Sequence, residues 1–325
     1  MGRAFGFDAP DGCVLLTLPL CGTFGLCNAL GAIAAGRPLV MLPTFEAGVA
    51  AAMIVNKHVT HFPAAGYIVA QLLGAAPQER PFPSVRTVIG ARAGQAAGAH
   101  RRGLNLIGVY GSSEIQAMVW RQNSDSNPEI RELGGGTLIA PGARVRARDT
   151  VSGELLPLGQ SGELEFMVPS RMAGYVGNER ATVEAFTPDG YFRSEDLGFV
   201  LNDREFVFQS RIGDALRLAG FLVNPVEIEH VLDSHPLVSS SQIVGVDGPR
   251  GLRPIAFVIM KPQAMFDEGT LIAHCRRLMA GFKVPHRVFR LDNFPVTPGA
   301  NGSKVQKARL REISRELLAA SSSRG

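Results

Sequence analysis

Between Cys13 and Leu42 the chain carries a single charge, Arg37, in thirty residues. A membrane-spanning helix needs roughly 20 continuous apolar residues whose backbone groups are all satisfied within the segment. Pro19, Gly22, Gly25, Gly31 and Gly36 break the run too often for that, so no membrane span is expected. What remains is a strand from Val14 to Leu18, a loop, a small-residue helix from Leu26 to Ala35 and a second strand from Pro38 to Leu42. The alternation continues with a helix-like stretch from Glu46 to Asn56 and strand-like runs at Val85 to Ile89 and Leu104 to Tyr110. Strands and helices in alternation predict α/β architecture with parallel-type layers.

The texture then changes twice. From Gly134 to Phe208 helical periodicity vanishes and turn-bounded strands follow one another, at Ala143 to Arg148, Glu163 to Val168 and Glu205 to Phe208. This predicts a β-rich subdomain. A third texture begins near Arg211. Asn224, Pro225 and Glu227 mark a helix start, with Asn as cap, Pro in the first turn and Glu at the reciprocal capping position. Strands follow at Gln242 to Val246, Ile255 to Met260 and near Val288 to Leu291. Leu271, Cys275, Leu278 and Met279 fall on one helical face, and a last helix from about Ser303 to Leu318 turns Val305, Ile313 and Leu317 inward. That is a small α+β unit of normal domain size.

At 325 residues, 46% apolar and 19% charged, the chain has material for about two domains and a buried core. Thirty-three basic against 29 acidic residues leave a net charge of +4. No basic block is present to follow a phosphate backbone, so nucleic acid is not an expected partner. Asp8 and Asp11 stand where a secretory leader would be basic, and the chain reads as cytoplasmic. Cys13, Cys21, Cys27 and Cys275 form no C-x-x-C pair and read as buried thiols of a reduced compartment. His58 and His61 have ligand spacing but no third ligand nearby.

Four segments can carry chemistry. Tyr110-Gly111-Ser112-Ser113-Glu114 follows a strand, and ligands of open α/β sheets collect beyond strand carboxyl ends. Tyr191 to Gly198 includes Ser194, Glu195 and Asp196, two adjacent carboxylates and a hydroxyl in a loop, suited to binding a diol. Arg211 to Glu229 sits at the domain boundary, where paired charges can serve a hinge. Asn301 to Lys307 places Lys304 on a glycine-containing loop at a helix start. Taken singly, these are also a turn, a charged β-turn, a solvated boundary and a surface lysine.

In this order and spacing, however, they resemble the adenylate-forming (AMP-binding) enzyme superfamily, of the acyl-CoA synthetase type. Tyr110 to Glu114 resembles its Y-G-x-T-E. Gly162-Glu163, Gly174-Tyr175 and Thr182 to Phe186 resemble G-E…G-Y…T…F. Ser194 to Asp196 stands for T-G-D, and Ser210-Arg211 with Asp214, Gly220 and Pro225 to Glu229 for G-R-x-x-D and its continuation. Pro295, Thr297 and Gly302 to Lys304 resemble the terminal P-x-T…G-K, and Leu18 to Gly25 resembles L-P-x-x-H-x-x-G.

The resemblance implies a partial large N-terminal domain over 1–213, its β-rich subdomain at about 134–209, and a small, mobile α+β C-terminal domain over 214–325. It implies ATP, Mg²⁺ and coenzyme A as cofactors, and a small-molecule carboxylic acid, fatty or aromatic, as substrate. By the same resemblance Tyr110 faces adenine, with Gly111, Ser112 and Ser113 also at the nucleotide. Glu114 holds Mg²⁺, Asp196 takes the ribose hydroxyls and Arg211 the ribose–phosphate region. Lys304 bridges the acid's carboxylate and the α-phosphate, Asp214 is the hinge and Gly220 lies on the thiol channel.

The chain departs from the pattern in five ways. No Ser/Thr/Gly-rich phosphate loop ending in P-K-G is found, so the chain reads as lacking an N-terminal portion, with activity as given expected to be impaired. Gly22 replaces a histidine near the acyl pocket, Glu195 replaces a glycine and Arg217 a lysine, and two extra residues separate Thr297 from Gly302. An uncovered flank of a parallel sheet would then leave a homo-oligomer or a missing N-terminal segment to cover it. The rival reading is a non-catalytic nucleotide- or acyl-binding remnant of such an enzyme.

Overall fold

In the computed structural model the described residues are 1–90, 98–122, 134–219, 221–248, 251–297 and 304–322, with backbone only at 221, 222, 304 and 320–322. They fall into two compact units. One comprises Met1–Ser194 and Gly198–Phe208; the other comprises Glu195–Leu197, Gln209–Gly299 and Ser303–Gly325.

The first unit opens with a five-stranded sheet ordered β2-β1-β3-β4-β5, built from β1 (Val14–Leu16), β2 (Leu39–Met41), β3 (His61–Pro63), β4 (Thr87–Ile89) and β5 (Leu106–Ile107). Every neighbouring pair is parallel. Three helices connect these strands: α1 (Thr23–Ala34), α2 (Ala47–Asn56) and α3 (Gly66–Ala75). The chain steps from β1 to β2 in one direction and from β2 back past β1 to β3 in the other. Right-handed crossovers therefore put α1 on one face and α2 with α3 on the opposite one. The core shows this division. Leu15 packs with Ile54, Phe62, Ile68 and Leu72, while its neighbour Val14 packs with Phe7, Cys27 and Ala32 on the α1 side. The three central strands are buried along their whole length, which is why they read as unbroken apolar runs.

The expected strand from Leu104 to Tyr110 is in fact two. β5 ends at Ile107 in the parallel sheet, and β6 (Val109–Tyr110) begins a second one, so a single residue, Gly108, joins them. Gly108 is held from both sides by Gln122, whose N–H donates to its carbonyl (3.0 Å) and whose Oε1 accepts from its N–H (3.3 Å).

The second sheet has seven strands ordered β6-β7-β8-β12-β11-β10-β9: β7 (Trp120–Arg121), β8 (Gly135–Leu138), β9 (Arg144–Arg148), β10 (Gly162–Met167), β11 (Phe192–Val200) and β12 (Glu205–Arg211) complete it. Trp120, Leu138, Phe166, Phe192 and Phe206 form its core. An ionic ladder crosses its edge. Arg146 on β9 stands opposite Glu165 on β10 and reaches it at 2.5 Å, Arg148 reaches the same fully buried carboxylate at 2.6 Å, and Arg146 also grips Asp189 at 2.5 Å. The Arg146 guanidinium holds the Asp189 carboxyl below its ordinary range.

Two expectations for this region are corrected. A short helix, α4 (Glu179–Glu184), interrupts the strands, capped by Asn178, whose side chain accepts from the Ala181 N–H at 3.0 Å. Its six residues are too few to show a period. The segment from Tyr191 to Gly198 is not a loop but most of β11. Its charges disguised an alternation in which Phe192, Ser194 and Asp196 are buried while Arg193 and Glu195 are exposed.

The second unit carries the hairpin β13 (Leu216–Leu218) and β14 (Phe221–Val223), then α5 (Pro225–Asp233) and a three-stranded sheet of β15 (Val238–Gly248), β16 (Gly251–Met260) and β17 (Arg287–Arg290). α6 (Glu268–Leu278) joins α5 over one face, where Ile243, Val258, Ile228 and Cys275 pack. α7 (Lys307–Ser322) covers the other, where Val244, Phe257 and Leu310 meet. Asn224 caps α5 as expected, accepting from the Val226 N–H at 3.0 Å. Glu227 instead pairs with Lys283 at 2.6 Å. Leu278, expected to face inward, is 57% exposed, because the helix ends there and Met279 turns extended. Cys21 is exposed rather than buried, unlike the other three thiols.

The terminal helix does not start near Ser303. Lys304 and Val305 form a strand, β19, antiparallel to β18 (Val296–Thr297), and α7 begins only at Lys307. Among the described residues no helix is long and apolar enough to cross a membrane.

Candidate active site

Each unit holds part of the expected site. In the first, β6 delivers Tyr110 to the end of the sheet. Its ring packs among Phe166 (5.4 Å), Phe206 (5.1 Å, edge-on) and Phe208 (5.5 Å), leaving it 8% exposed. Immediately afterwards the chain folds back on itself. A Cβ at Gly111 would lie 2.3 Å from the Gln116 carbonyl oxygen, so only glycine fits, and Gln116 takes a left-handed φ of 67° to close the turn.

That turn aims three oxygen-bearing side chains. The Thr23 hydroxyl, on the first residue of α1, donates to Ser113 Oγ at 3.3 Å. Ser112 Oγ is buried and has no protein partner. Glu114 is fixed at both ends: its carbonyl accepts from the Met172 N–H (2.6 Å) and its Oε1 from the Tyr175 hydroxyl (3.1 Å). Ser170 adds a bond from its hydroxyl to the Ile115 carbonyl at 2.7 Å.

The clasp over residues 170–175 explains the G-Y…T spacing. Thr182 Oγ1 accepts from the Tyr175 N–H at 2.9 Å and donates to the Asn178 carbonyl at 2.9 Å. A Cβ at Gly174 would fall 2.6 Å from the Thr182 methyl. Glycine, tyrosine and threonine are thus one device that holds the Glu114 carboxylate. Tyr175 and Thr23 were not among the residues expected at the site. The motif containing Tyr175 was visible in the sequence, whereas the Thr23 contact, across 90 positions, left no local signal.

In the second unit Asp196 and Arg211 meet at 3.1 Å, Asp196 nearly buried and Arg211 about half exposed. Glu195 and Asp196, adjacent in sequence, do not act as a carboxylate pair. Asp196 is buried, whereas Glu195 is exposed with a left-handed φ of 56°, and its carbonyl accepts from the Ile212 N–H at 2.8 Å. Ser194 offers no hydroxyl to a diol, since its Oγ donates to the Leu164 carbonyl at 2.6 Å. Asp214 is tied to α7: Arg311 reaches its carboxylate at 3.5 Å and the Gly213 carbonyl at 3.2 Å. Lys307 pairs with the buried Glu229 at 3.3 Å, and the same carboxylate oxygen accepts from the Ile243 N–H at 2.9 Å. Gly220 and the Lys304 side chain lie outside the described residues; Lys304 is placed only by its backbone, opposite Thr297.

The donors around Glu114 are a carboxylate and hydroxyls, the oxygen chemistry a hard divalent cation takes when phosphates supply its remaining ligands. Among the described residues no group of three or more His, Cys, Asp or Glu could hold a metal by itself. The orphaned Ser112 hydroxyl is a buried polar group that a polar ligand could satisfy.

A parallel α/β sheet, a β-rich sheet carrying a glycine-turned Y-G-x-x-E loop and a small α+β unit define an adenylate-forming enzyme fold. The same combination recurs in solved structures. ATP-bound MatB from Rhodopseudomonas palustris superposes with a TM-score of 0.82 at 25% identity over 95% of this chain and 61% of that one. The amide bond synthetase McbA from Marinactinospora thermotolerans gives 0.81 at 27% identity over 96% and 64%. Residues 1–176 match the AMP-binding enzyme family and residues 227–300 the AMP-binding enzyme C-terminal domain, and the chain belongs to this family. Similar relatives include 4-coumarate--CoA ligase-like 6 of Arabidopsis thaliana, 27% identical over 92% of this chain and 54% of its own length. Sulfoacetate--CoA ligase of Cupriavidus necator is 32% identical over 91% and 58%. The chain therefore spans about half the length of the curated relatives it matches.

Proposed function

We propose that this chain provides the nucleotide- and acid-activating part of an acid–thiol ligase. In the reaction, a carboxylate, fatty or aromatic, attacks the α-phosphate of ATP and pyrophosphate leaves; the thiol of coenzyme A then attacks the acyl carbonyl of the adenylate, and AMP leaves as the thioester forms. The observation that carries this reading is the clasped Glu114 loop: a residue held by its backbone carbonyl and by its carboxylate, beside Ser112 and Ser113, on a turn that only glycine allows. Family membership and relatives named as coenzyme A ligases support it; their names agree on the thiol and differ on the acid.

Roles follow from chemistry. Tyr110 offers adenine a ring edge bordered by other aromatics. Gly111 brings the backbone close to the nucleotide, with the Ser112 and Ser113 hydroxyls beside it. Glu114 holds Mg²⁺, which when bound neutralises phosphate charge. Asp196 accepts from the ribose hydroxyls, and Arg211, already oriented by Asp196, turns its exposed side to phosphate. Lys304 brings an ammonium to the crowded carboxylate and α-phosphate. Asp214 is the hinge, and Gly220 lines the thiol path.

Calorimetric titration of the purified chain with AMP tests this. Saturable binding is expected, and Asp196→Ala should weaken it at least tenfold, about 1.4 kcal/mol. Wild-type protein with no saturable binding at millimolar AMP, or an Asp196→Ala variant that binds equally well, refutes the reading. The remnant reading is favoured by one observation, the left-handed Glu195 beside Asp196. It requires AMP binding without acyl hydroxamate formation when acids, ATP, Mg²⁺ and hydroxylamine are supplied.

A further inference from the structure

Lys307 stands at the wrong end of its helix. It is the first residue of α7, where the aligned peptide dipoles disfavour a cation. Its side chain is nevertheless only 19% exposed, and its ammonium meets a Glu229 oxygen at 3.3 Å. Glu229, on α5, is buried and firmly seated. The same oxygen accepts from the Ile243 N–H on β15 at 2.9 Å, and its backbone carbonyl accepts from the Ser241 hydroxyl at 3.1 Å. Gln306, the residue before Lys307, is fixed as well. Its N–H donates to the Pro295 carbonyl at 2.8 Å, and its side-chain amide donates to Thr297 Oγ1 at 2.8 Å and to the Val296 carbonyl at 3.3 Å. Its own carbonyl accepts the first bond of α7, from the Leu310 N–H at 3.1 Å. These two residues follow directly on β19, the two-residue strand whose backbone includes Lys304, and a ribbon that short has little stability of its own.

We propose that Glu229, acting through Lys307, is a positioning residue for Lys304, and that Gln306 holds the same strand to β18. The inference rests on the role given to Lys304 above. An ammonium on a flexible four-carbon stem is a point charge with no fixed direction. What it delivers to a phosphate therefore depends on where its backbone is held, and a misplacement of about 1 Å can cost about a hundredfold in rate. Side chains that bind ligand are kept in place by a surrounding layer of packing and hydrogen bonds. Here that layer reaches from the lysine strand to α5 and β15, the most firmly bonded part of its unit, in two steps: Lys307 to Glu229, and Glu229 to the Ile243 N–H. The two lysines of the segment thus divide the work. Lys307 is committed to the scaffold, and its pairing fixes the strand from which Lys304 reaches the α-phosphate.

Calorimetric titration of the intact chain with AMP and with adenosine tests the proposal, because the ratio of the two affinities isolates the α-phosphate contact. Wild type should bind AMP more tightly than adenosine, and Lys304→Ala should lower that ratio about tenfold. Glu229→Gln and Lys307→Met should each lower it about fivefold with the adenosine affinity unchanged. Lys307→Arg, which can still reach Glu229, should keep the wild-type ratio. Hydrogen exchange of the Gln306 amide should quicken in the two charge-removing variants while β15 and β16 stay protected. Should those variants fail to fold, Gln306→Ala, at an exposed position, provides the same comparison. Absence of AMP binding by wild type overturns the nucleotide reading and this proposal with it, and an unaltered ratio in Lys304→Ala overturns the role of Lys304 and again this proposal. A ratio lowered in Lys304→Ala but unaltered in the Glu229, Lys307 and Gln306 variants, or lowered as much by Lys307→Arg as by Lys307→Met, overturns the proposal alone.

Discussion

Glu195 holds a backbone conformation, φ 56°, that costs a side-chain-bearing residue about 1 kcal/mol and glycine almost nothing. The resemblance placed a glycine at this position, and the structure supplies the reason. Glu195→Gly should raise unfolding stability by about 1 kcal/mol in urea, and an unchanged or lowered midpoint would count against the strain. A second residue-scale expectation concerns His61. It is buried against Phe7 with Thr60 Oγ1 2.8 Å from its Nδ1, and burial foremost, then the Arg86 charge, lowers its pKa to about 4. Because the folded value lies below the ordinary 6.5, the neutral ring's contribution is complete above pH 6.5 and is lost as pH falls toward 4, about 3 kcal/mol in all. Stability curves measured across that window should slope accordingly, and His61→Gln should remove most of the slope. Residue identity thus announced some of the site in advance. Gly111 and Tyr110 stood in a recognisable string, whereas Thr23 entered only when α1 brought its first turn beside Ser113.

At the scale of elements, the ionic ladder between β9 and β10 sets strand register as well as charge balance. Glu165 is fully buried between Arg146 and Arg148, so Glu165→Ala leaves Arg148 without its carboxylate and Arg146 with Asp189 alone. The expected loss is about 3 kcal/mol by chemical denaturation, with Glu165→Gln losing less because it still accepts hydrogen bonds. A near-neutral Glu165→Ala would mean the ladder is ornamental. Central strands of the parallel sheet were legible as apolar runs because both their faces are covered. β11 was not, because Arg193, Glu195 and Asp196 look like a turn until pairing on both edges fixes which of them points inward. The β18–β19 hairpin was hidden for a different reason. Two-residue strands owe their form to pairing rather than to their own residues, and nothing in Lys304-Val305 distinguishes a strand end from a helix start.

For the molecule as a whole, two changes of sequence texture gave the order of the α/β, β-rich and α+β regions, since each architecture leaves its own hydrophobic period. The placing of Asp196 was not legible, because residues 195–197 cluster by contact with a segment that follows them in sequence. The α+β region has cores on both faces of its sheet, around Ile243 and around Val244. A fragment spanning residues 209–325 should therefore unfold cooperatively in urea on its own, and a gradual, non-sigmoidal transition would contradict its independence. The join at Gly108 carries a lesson for how such genes can drift. Lengthening the surface turn at residues 149–160 adds only chain entropy, so insertions and deletions there should accumulate among descendants of this sequence. One extra codon at Gly108 would reverse every side chain of the strand that follows and eject Tyr110 from its aromatic nest, so lineages should keep that junction free of gaps.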